Sequence, residues 1–248
     1  MKRFEKYIEY KKGSYPLIIS IPHGGTIKLK GIPKRTNGVL GIDKYTIQLG
    51  KNLIKQIETK HKKGVNIITP YYVISKIHRS IIDLNRNEDK AYINSSKIAH
   101  KLYNLYHDKM FEYIKDSIKN FGRSLLIDIH GFETEKRPQG FRDVDIILGT
   151  NNLKSLFPHS VPKKEWSKNI RGKLIINLME LEIPIAPGHP RRKEYVLKGG
   201  FITKKYGAQN ITKSQSIQIE FSDRIRILNM HLQNKVLEMI SKVLIDNF

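Results

Sequence analysis

Four short runs of the chain carry side chains suited to acid–base, metal or carboxylate chemistry. One is Ile77-His78-Arg79-Ser80-Ile81-Ile82-Asp83-Leu84-Asn85-Arg86-Asn87. Its apolar, β-branched pair runs straight into charge. Such residues favour a buried strand end, and charge at a strand end marks where open α/β sheets keep their sites. The planar guanidinium of Arg86 can grip a carboxylate through two parallel hydrogen bonds, which a lysine cannot do. Asn85 adds a neutral donor beside it. Asp83, emerging from apolar surroundings, is poorly solvated and requires a cation, a donor or a metal-bound histidine as partner. Taken alone, the run reads equally well as a surface turn rich in Asn and Asp.

The other three runs shift that balance. His23 and His130 each follow an apolar run and each precede glycine. Neutral imidazole is a common ligand of borderline metals, and two histidines on loops from different strands can meet at one ion. A catalytic zinc site takes three protein ligands and keeps one position open, so a carboxylate is needed as the third. Asp43, at the start of the segment after the His23 loop, comes first, although an aspartate there is also an ordinary helix N-cap. Glu133 and Asp145 are further carboxylates to weigh. Ligating histidines donate their second ring nitrogen to a carboxylate or carbonyl. Asp128, two residues before His130 on the same strand face, and Asp83 are placed for that role. Glu220, in Gln-Ile-Glu-Phe, occupies a half-buried position of an alternating strand and can act as general base and then general acid. A glutamate paired with a lysine at a sheet edge fits the same position.

The elements that must carry these residues are legible from periodicity. Apolar runs predict strands at 15–21, 64–74, 123–130 and 143–148, and an alternating strand at 214–221. Helical spacing predicts helices over 43–60, 93–119 and 164–181, with a last one at 223–245 opened by Asp223 as cap. Residues 27–42 and 185–201 are loop-like. Strands alternate with helices, and no linker, repeat or low-complexity block divides residues 1–248. The expectation is one α/β domain around a mixed, mainly parallel sheet with helices on both faces. His23, the 79–86 segment, His130 and Glu220 then converge on the C-terminal edge of the parallel strands.

Composition sets outer bounds. With 39% hydrophobic residues the chain can bury a substantial core. The absence of cysteine excludes disulfides, zinc–thiolate sites and a cysteine nucleophile, so a metal must rest on His, Asp or Glu. No apolar run approaches the ~18 residues of a membrane span, and residues 1–6 lack the apolar core of a signal peptide. A cytoplasmic protein without a membrane partner is the expectation. The formal charge of +22 raises the weight of an anionic partner. The excess is mostly Lys, accompanied by plentiful Ile and Asn, all with A/T-rich codons, so genome base composition is the leading explanation and steering of an anionic substrate the alternative. Arg191 and Arg192 are further loop cations that a second substrate carboxylate could use.

In this order, His-Gly-Gly at 23–25, Ile-Asp-Leu-Asn-Arg-Asn at 82–87, Ile-Asp-Ile-His-Gly-Phe at 127–132 and Ile-Glu-Phe at 219–221 resemble the N-formylglutamate amidohydrolase family. More distantly they resemble zinc carboxypeptidases and the aspartoacylase/succinylglutamate desuccinylase group. The resemblance spans residues 15–223. It implies a carboxypeptidase-like α/β fold over one N-formylglutamate amidohydrolase-like domain, one Zn2+ per chain, and hydrolysis of an amide next to a carboxylate by zinc-activated water. It further implies His23 and His130 as ligands, Asp83 orienting a ligating histidine, and Asn85 and Arg86 on a small anionic substrate. Arg79 would face the oxyanion, and Glu220 would be the general base. Thr26 stands where carboxypeptidases carry an acidic ligand three residues after the first histidine, whereas Asp43 matches the acidic residue of the amidohydrolase branch. The leading substrate is N-formyl-L-glutamate. A zinc peptidase or a deacylase of another carboxylate-bearing amide is the nearest alternative. A basic nucleic-acid-binding protein on the same scaffold is the alternative from another class, although no RNP-type aromatic motif or zinc finger accompanies the charge.

Overall fold

The structure is a computed structural model describing residues 4–60, 68–136, 142–195 and 197–248. Seven strands form one sheet: β1 (Ile8–Lys11), β2 (Tyr15–Ile21), β3 (Pro70–Ser75), β4 (Ser124–Phe132), β5 (Ile146–Gly149), β6 (Ile185–Ala186) and β7 (Ser214–Ser222). Their order is β1-β3-β2-β4-β7-β5-β6. The block β3-β2-β4-β7 is parallel, whereas β1 pairs antiparallel with β3, and β5 antiparallel with β7. The sheet is therefore mixed and mainly parallel, as expected from the alternation of strand and helix.

The two-residue period of the strands divides the core. Leu17, Ile19, Ile127, Ile129, Ile217 and Ile219 point to one face, covered by α1 (Thr46–Lys60), α4 (Ile170–Glu180) and α6 (Met230–Asn247). Ile18 and Leu126 point to the other, covered by α3 (Lys97–Phe121) and α5 (Phe201–Tyr206), with a short α2 (Glu88–Ala91) beyond. Each fully buried isoleucine of these rows contributes roughly 1.5–3 kcal/mol. On the second face, towards the C-terminal end of the strands, the apolar rows give way to Ser20, Asp128, His130, Gln218 and Glu220. The site is built on that polar patch.

Several expected boundaries move, each for a local reason. The first helix starts at Thr46 rather than Asp43, because the Asp43 backbone carbonyl, not its carboxylate, accepts from Thr46 N and Oγ1. The helix expected from 164 begins at Ile170, where the Asn169 side chain accepts from Gly172 N. The last helix is capped by Asn229, not Asp223; the Asp223 carboxylate instead accepts from Thr134 N and Arg224 N, ahead of a π-helical turn at Arg224–Leu228. Ser96 caps α3 through Ala99 N, and Gly122 closes it in a left-handed conformation. Of the strand expected at 64–74, residues 64–67 lie outside the described residues, and β3 covers the rest. The strand expected from 143 starts at Ile146, because Asp143 and Asp145 are both engaged by Arg224. Strands β1 and β6 and helices α2 and α5 are too short for periodicity to reveal.

Candidate metal centre and catalytic cleft

Two buried imidazoles are the starting point. His23 follows β2 and His130 lies near the end of β4, on neighbouring parallel strands. His23 Nε2 lies 2.7 Å from Asp83 Oδ1, and His130 Nε2 lies 2.9 Å from Asp128 Oδ2. Carboxylates accept, so the Nε2 atoms carry the protons and the Nδ1 atoms present lone pairs. Those Nδ1 atoms face each other at 3.1 Å. Asp43 Oδ2 is the third member, 3.2 Å from His130 Nδ1 and 3.5 Å from His23 Nδ1. Three acceptors facing one centre repel unless a cation lies between them. Ligands 2.0–2.1 Å from a tetrahedral zinc are separated by about 3.3–3.4 Å, and the triangle of 3.1, 3.2 and 3.5 Å matches. The donor set of two imidazoles and a carboxylate suits the same ion. Among the described residues, His23, Asp43 and His130 form the group that could hold a metal.

The electrostatics point the same way. Burial works against ionisation at Asp43, but His130 and His23 outweigh it and hold its carboxyl well below the usual carboxylate range. Burial likewise opposes a charge on His130, but Asp128 and Asp43 overcome it and raise its pKa well above the ordinary value, so these acidic surroundings favour a cation at the ring, a proton or a metal ion.

The expected N-cap role of Asp43 gives way to a carboxylate turned inwards, where it also accepts from Gly131 N at 3.2 Å. Gly131 is required because a Cβ there would collide with the Arg226 guanidinium packed over it. The alternative third ligands do not reach the centre. Glu133 contacts Arg226 at 3.4 Å, and Asp145 is held by Ser222 and Arg224, both at 2.7 Å.

Behind the histidines stands a second tier. Asp83 is fully buried, with Arg79 Nε at 3.1 Å and Arg35 Nη1 and Arg86 Nε each at 3.5 Å. Asn85 N donates to it at 3.1 Å. Burial alone would raise its pKa, but His23 and the Arg79 and Arg35 guanidinium groups hold the carboxyl far below the usual range. Asp128 is fixed from the other side by Ser20 Oγ at 2.6 Å, itself 2.8 Å from Tyr106 Oη.

In front lies a cleft of about 550 Å³, onto which Asp43, Arg79, Asn85, Arg86, His130 and Glu220 all open. His23, Asp83 and Asp128 sit behind this wall with no exposure. Arg79 Nη1 also reaches Asp43 Oδ1 at 3.5 Å, so its guanidinium spans the cluster. Arg86 is half exposed. Asn85 is more constrained than expected. Its Oδ1 accepts from Ile202 N at 2.8 Å, which fixes the amide to the start of α5, and its Nδ2 rests 3.1 Å from His130 Nε2, a nitrogen already donating to Asp128. Glu220 is paired in register with His130 across β4 and β7. Gln218 Nε2 donates to its Oε1 at 2.7 Å. Burial pushes the Glu220 carboxyl up, with His130 opposing and Asp43 reinforcing the rise.

Several participants escaped sequence reasoning. Arg35 lies in a loop rich in Gly, Pro and Asn and gave no signal. Gln218 had one, since it precedes Glu220 by the two-residue strand period. Lys198 and Lys204, which also line the cleft, are lost among the many lysines. Of the loop pair Arg191-Arg192, Arg192 borders a neighbouring cavity and Arg191 lines neither it nor the cleft.

This arrangement can be compared with solved structures. N-formylglutamate amidohydrolase from Ralstonia eutropha JMP134 superposes with a TM-score of 0.61 at 14% identity, over 96% of this chain and 95% of that one. The chain has an N-formylglutamate amidohydrolase fold. A gene product of Agrobacterium tumefaciens superposes with a TM-score of 0.63 at 15% identity, over 99% and 98% of the two chains. No protein-family model and no curated protein matches the sequence. The amidohydrolase fold thus spans nearly the whole chain, and the site described above lies at the carboxyl edge of its parallel strands.

Proposed function

We propose that the protein is a zinc-dependent hydrolase of an amide beside a carboxylate, with a small anionic N-acyl amino acid as substrate. N-formyl-L-glutamate is the first to test, because a relative of the same fold bears that name. The observation that carries the reading is the buried triangle of His23 Nδ1, His130 Nδ1 and Asp43 Oδ2, with Glu220 in register on the next strand. When bound there, zinc acts as a Lewis acid and brings the pKa of water towards ~7.

The chain's own residues supply the remainder. Asp83 and Asp128 hold the two imidazoles with their lone pairs turned inwards. Glu220, poorly solvated, takes a proton from the attacking water and returns it to the leaving nitrogen. Arg79 offers a fixed guanidinium to the oxyanion that develops on the carbonyl. Arg86 binds the substrate carboxylate with its exposed edge, and Asn85, fixed to the start of α5 through Ile202 N, offers its amide beside it. The C–O bond to water forms first and leaves the oxyanion facing Arg79; the C–N bond then breaks as the nitrogen takes the proton from Glu220, releasing the acid and the free amino acid. A peptidase or another deacylase would use the same groups, and a screen of carboxylate-bearing amides separates them.

Elemental analysis of the purified protein beside His23→Ala and His130→Ala tests the reading. About one zinc per chain, lost in both variants, is expected from a three-ligand site. Metal absent from the wild type, or retained by both variants, would remove the mechanism.

A further inference from the structure

Beside the catalytic cleft lies a second cavity of about 650 Å³. The two share Val39, Tyr195 and Leu197 as a common lip, and all three are exposed apolar side chains. Its apolar walls beyond the lip are Phe132, Val144, Ile147, Leu148, Ala186 and Pro187, and the charged Glu133, Lys136, Arg142, Arg192, Lys193 and Glu194 line the rest. None of these residues has a part in the mechanism above. Yet the chamber is tied to it by strand register. His130 of β4 is paired with Glu220 of β7, and Glu220 with Ile147 of β5. Paired residues on neighbouring strands point to the same face, so ligand, base and chamber wall form one row. Ile147 is half-buried on that face, where the rows nearer α3 and α5 are fully covered.

The chamber is also held open in advance. Arg171 is fully buried and donates to Pro190 O at 3.1 Å and to Arg192 O at 2.8 Å. It pairs with Glu194 at 3.0 Å, and Glu194 accepts from Thr150 N and Asn152 N, each at 2.9 Å. The loop that supplies Tyr195 and Leu197 is thus pinned to the end of β5.

The order of strands gives the chamber its occupant. Arg86 contacts Asp83, the partner of His23 after β2, whereas the chamber is lined by β5 and β6, on the other side of β4 in the strand order. A substrate whose carboxylate meets Arg86 and whose amide meets the cluster directs its acyl group along the row towards β5. From β4 to β5 is two strand spacings, about 10 Å. A formyl group ends at the cluster and leaves the chamber unused. We propose that the chamber receives the acyl group, so that the substrates are amino acids carrying a medium-length aliphatic or an aromatic acyl group. This rests on the hydrolase reading above.

The test is a series of N-acyl-L-glutamates with formyl, acetyl, butanoyl, hexanoyl, phenylacetyl and succinyl groups, assayed with the zinc-loaded protein and, in parallel, titrated by calorimetry. Expected is a rise in kcat/KM of about fourfold per methylene from acetyl to hexanoyl, the factor for burying one CH2. Phenylacetyl should also exceed acetyl. Ile147→Thr keeps the β-branch and adds a hydroxyl to the wall. It should lower the hexanoyl-to-acetyl ratio about tenfold, with circular dichroism and melting temperature checking the fold. Equal rates along the series, fastest cleavage of formyl, or preference for succinyl over hexanoyl would overturn the proposal and leave the hydrolase intact. If no member is cleaved, the hydrolase reading fails, and calorimetry decides the chamber separately. Tighter binding of hexanoyl- than acetyl-glutamate keeps it, and equal binding overturns it.

Discussion

Asp83 meets His23, Arg79, Arg35 and Arg86 without any contact with solvent. Removing its charge leaves buried cations unmatched, and breaking such a pair costs about 3–5 kcal/mol. Asp83→Asn should lose stability on that scale in urea denaturation, and metal affinity should fall roughly 10–100-fold as the His23 ring loses its anchor. A variant as stable as wild type, with unchanged affinity, would show that the arginines carry the site without it. Glu220→Gln should behave oppositely. It keeps metal and fold, and turnover of the best substrate drops by roughly 10²–10⁴; a turnover above a tenth of wild type would move the base elsewhere. At this scale the sequence was informative wherever chemistry and backbone break coincide. His23 and His130 are each apolar run, histidine, glycine, and that pattern exposes them. Arg35 belongs to the same cluster but comes from a loop 44 residues before the Arg79 carbonyl it binds, and no local pattern announces such a partner.

Among the elements, α3 lies under the site and contains His107. Its Nδ1 lies 2.9 Å from Tyr206 Oη of α5. The ring is enclosed by Tyr103, Tyr106 and Phe201. Burial, with help from Lys205, pulls its pKa down to about 3. The unfolded chain binds a proton at its ordinary pKa near 6.5, so the unfolded state gains protons first as pH falls. Stability from neutral His107 is complete above about pH 6.5 and drains away towards pH 3, at up to about 1.4 kcal/mol per unit. His107→Gln removes that dependence. Denaturation at pH 7 and pH 5 should show wild type losing about 2 kcal/mol more than the variant, and equal losses would mean that the ring titrates normally. Long elements were legible because many residues vote for one period. β6, with two residues, and α5, with six, have no such averaging. Ends failed where a side chain had two possible employers, as at Asp43, which turned to the cluster rather than to the helix.

Across the whole molecule, the +22 charge invites a kinetic question rather than a structural one. A field of that sign speeds capture of anions and is screened by salt. For an anionic substrate, kcat/KM should fall several-fold between low and physiological salt while kcat holds; a flat profile would assign the lysines to base composition. In the described residues no helix is long and apolar enough to cross a membrane. The topology was legible because four parallel strands each end in a chemical residue, whereas the apolar chamber was not. Its apolar walls come from 132, 144, 147–148 and 186–187, too far apart for any window to join. That dispersal has a consequence for engineering. The cluster and its anchors come from residues before 131, and Glu220 from β7; most of the chamber comes from 142–149 and 185–197. Substitutions in those two segments leave His23, Asp43 and His130 untouched. Under the proposed hydrolase reading, library mutagenesis confined to those two segments should therefore yield altered acyl preference more often than loss of activity.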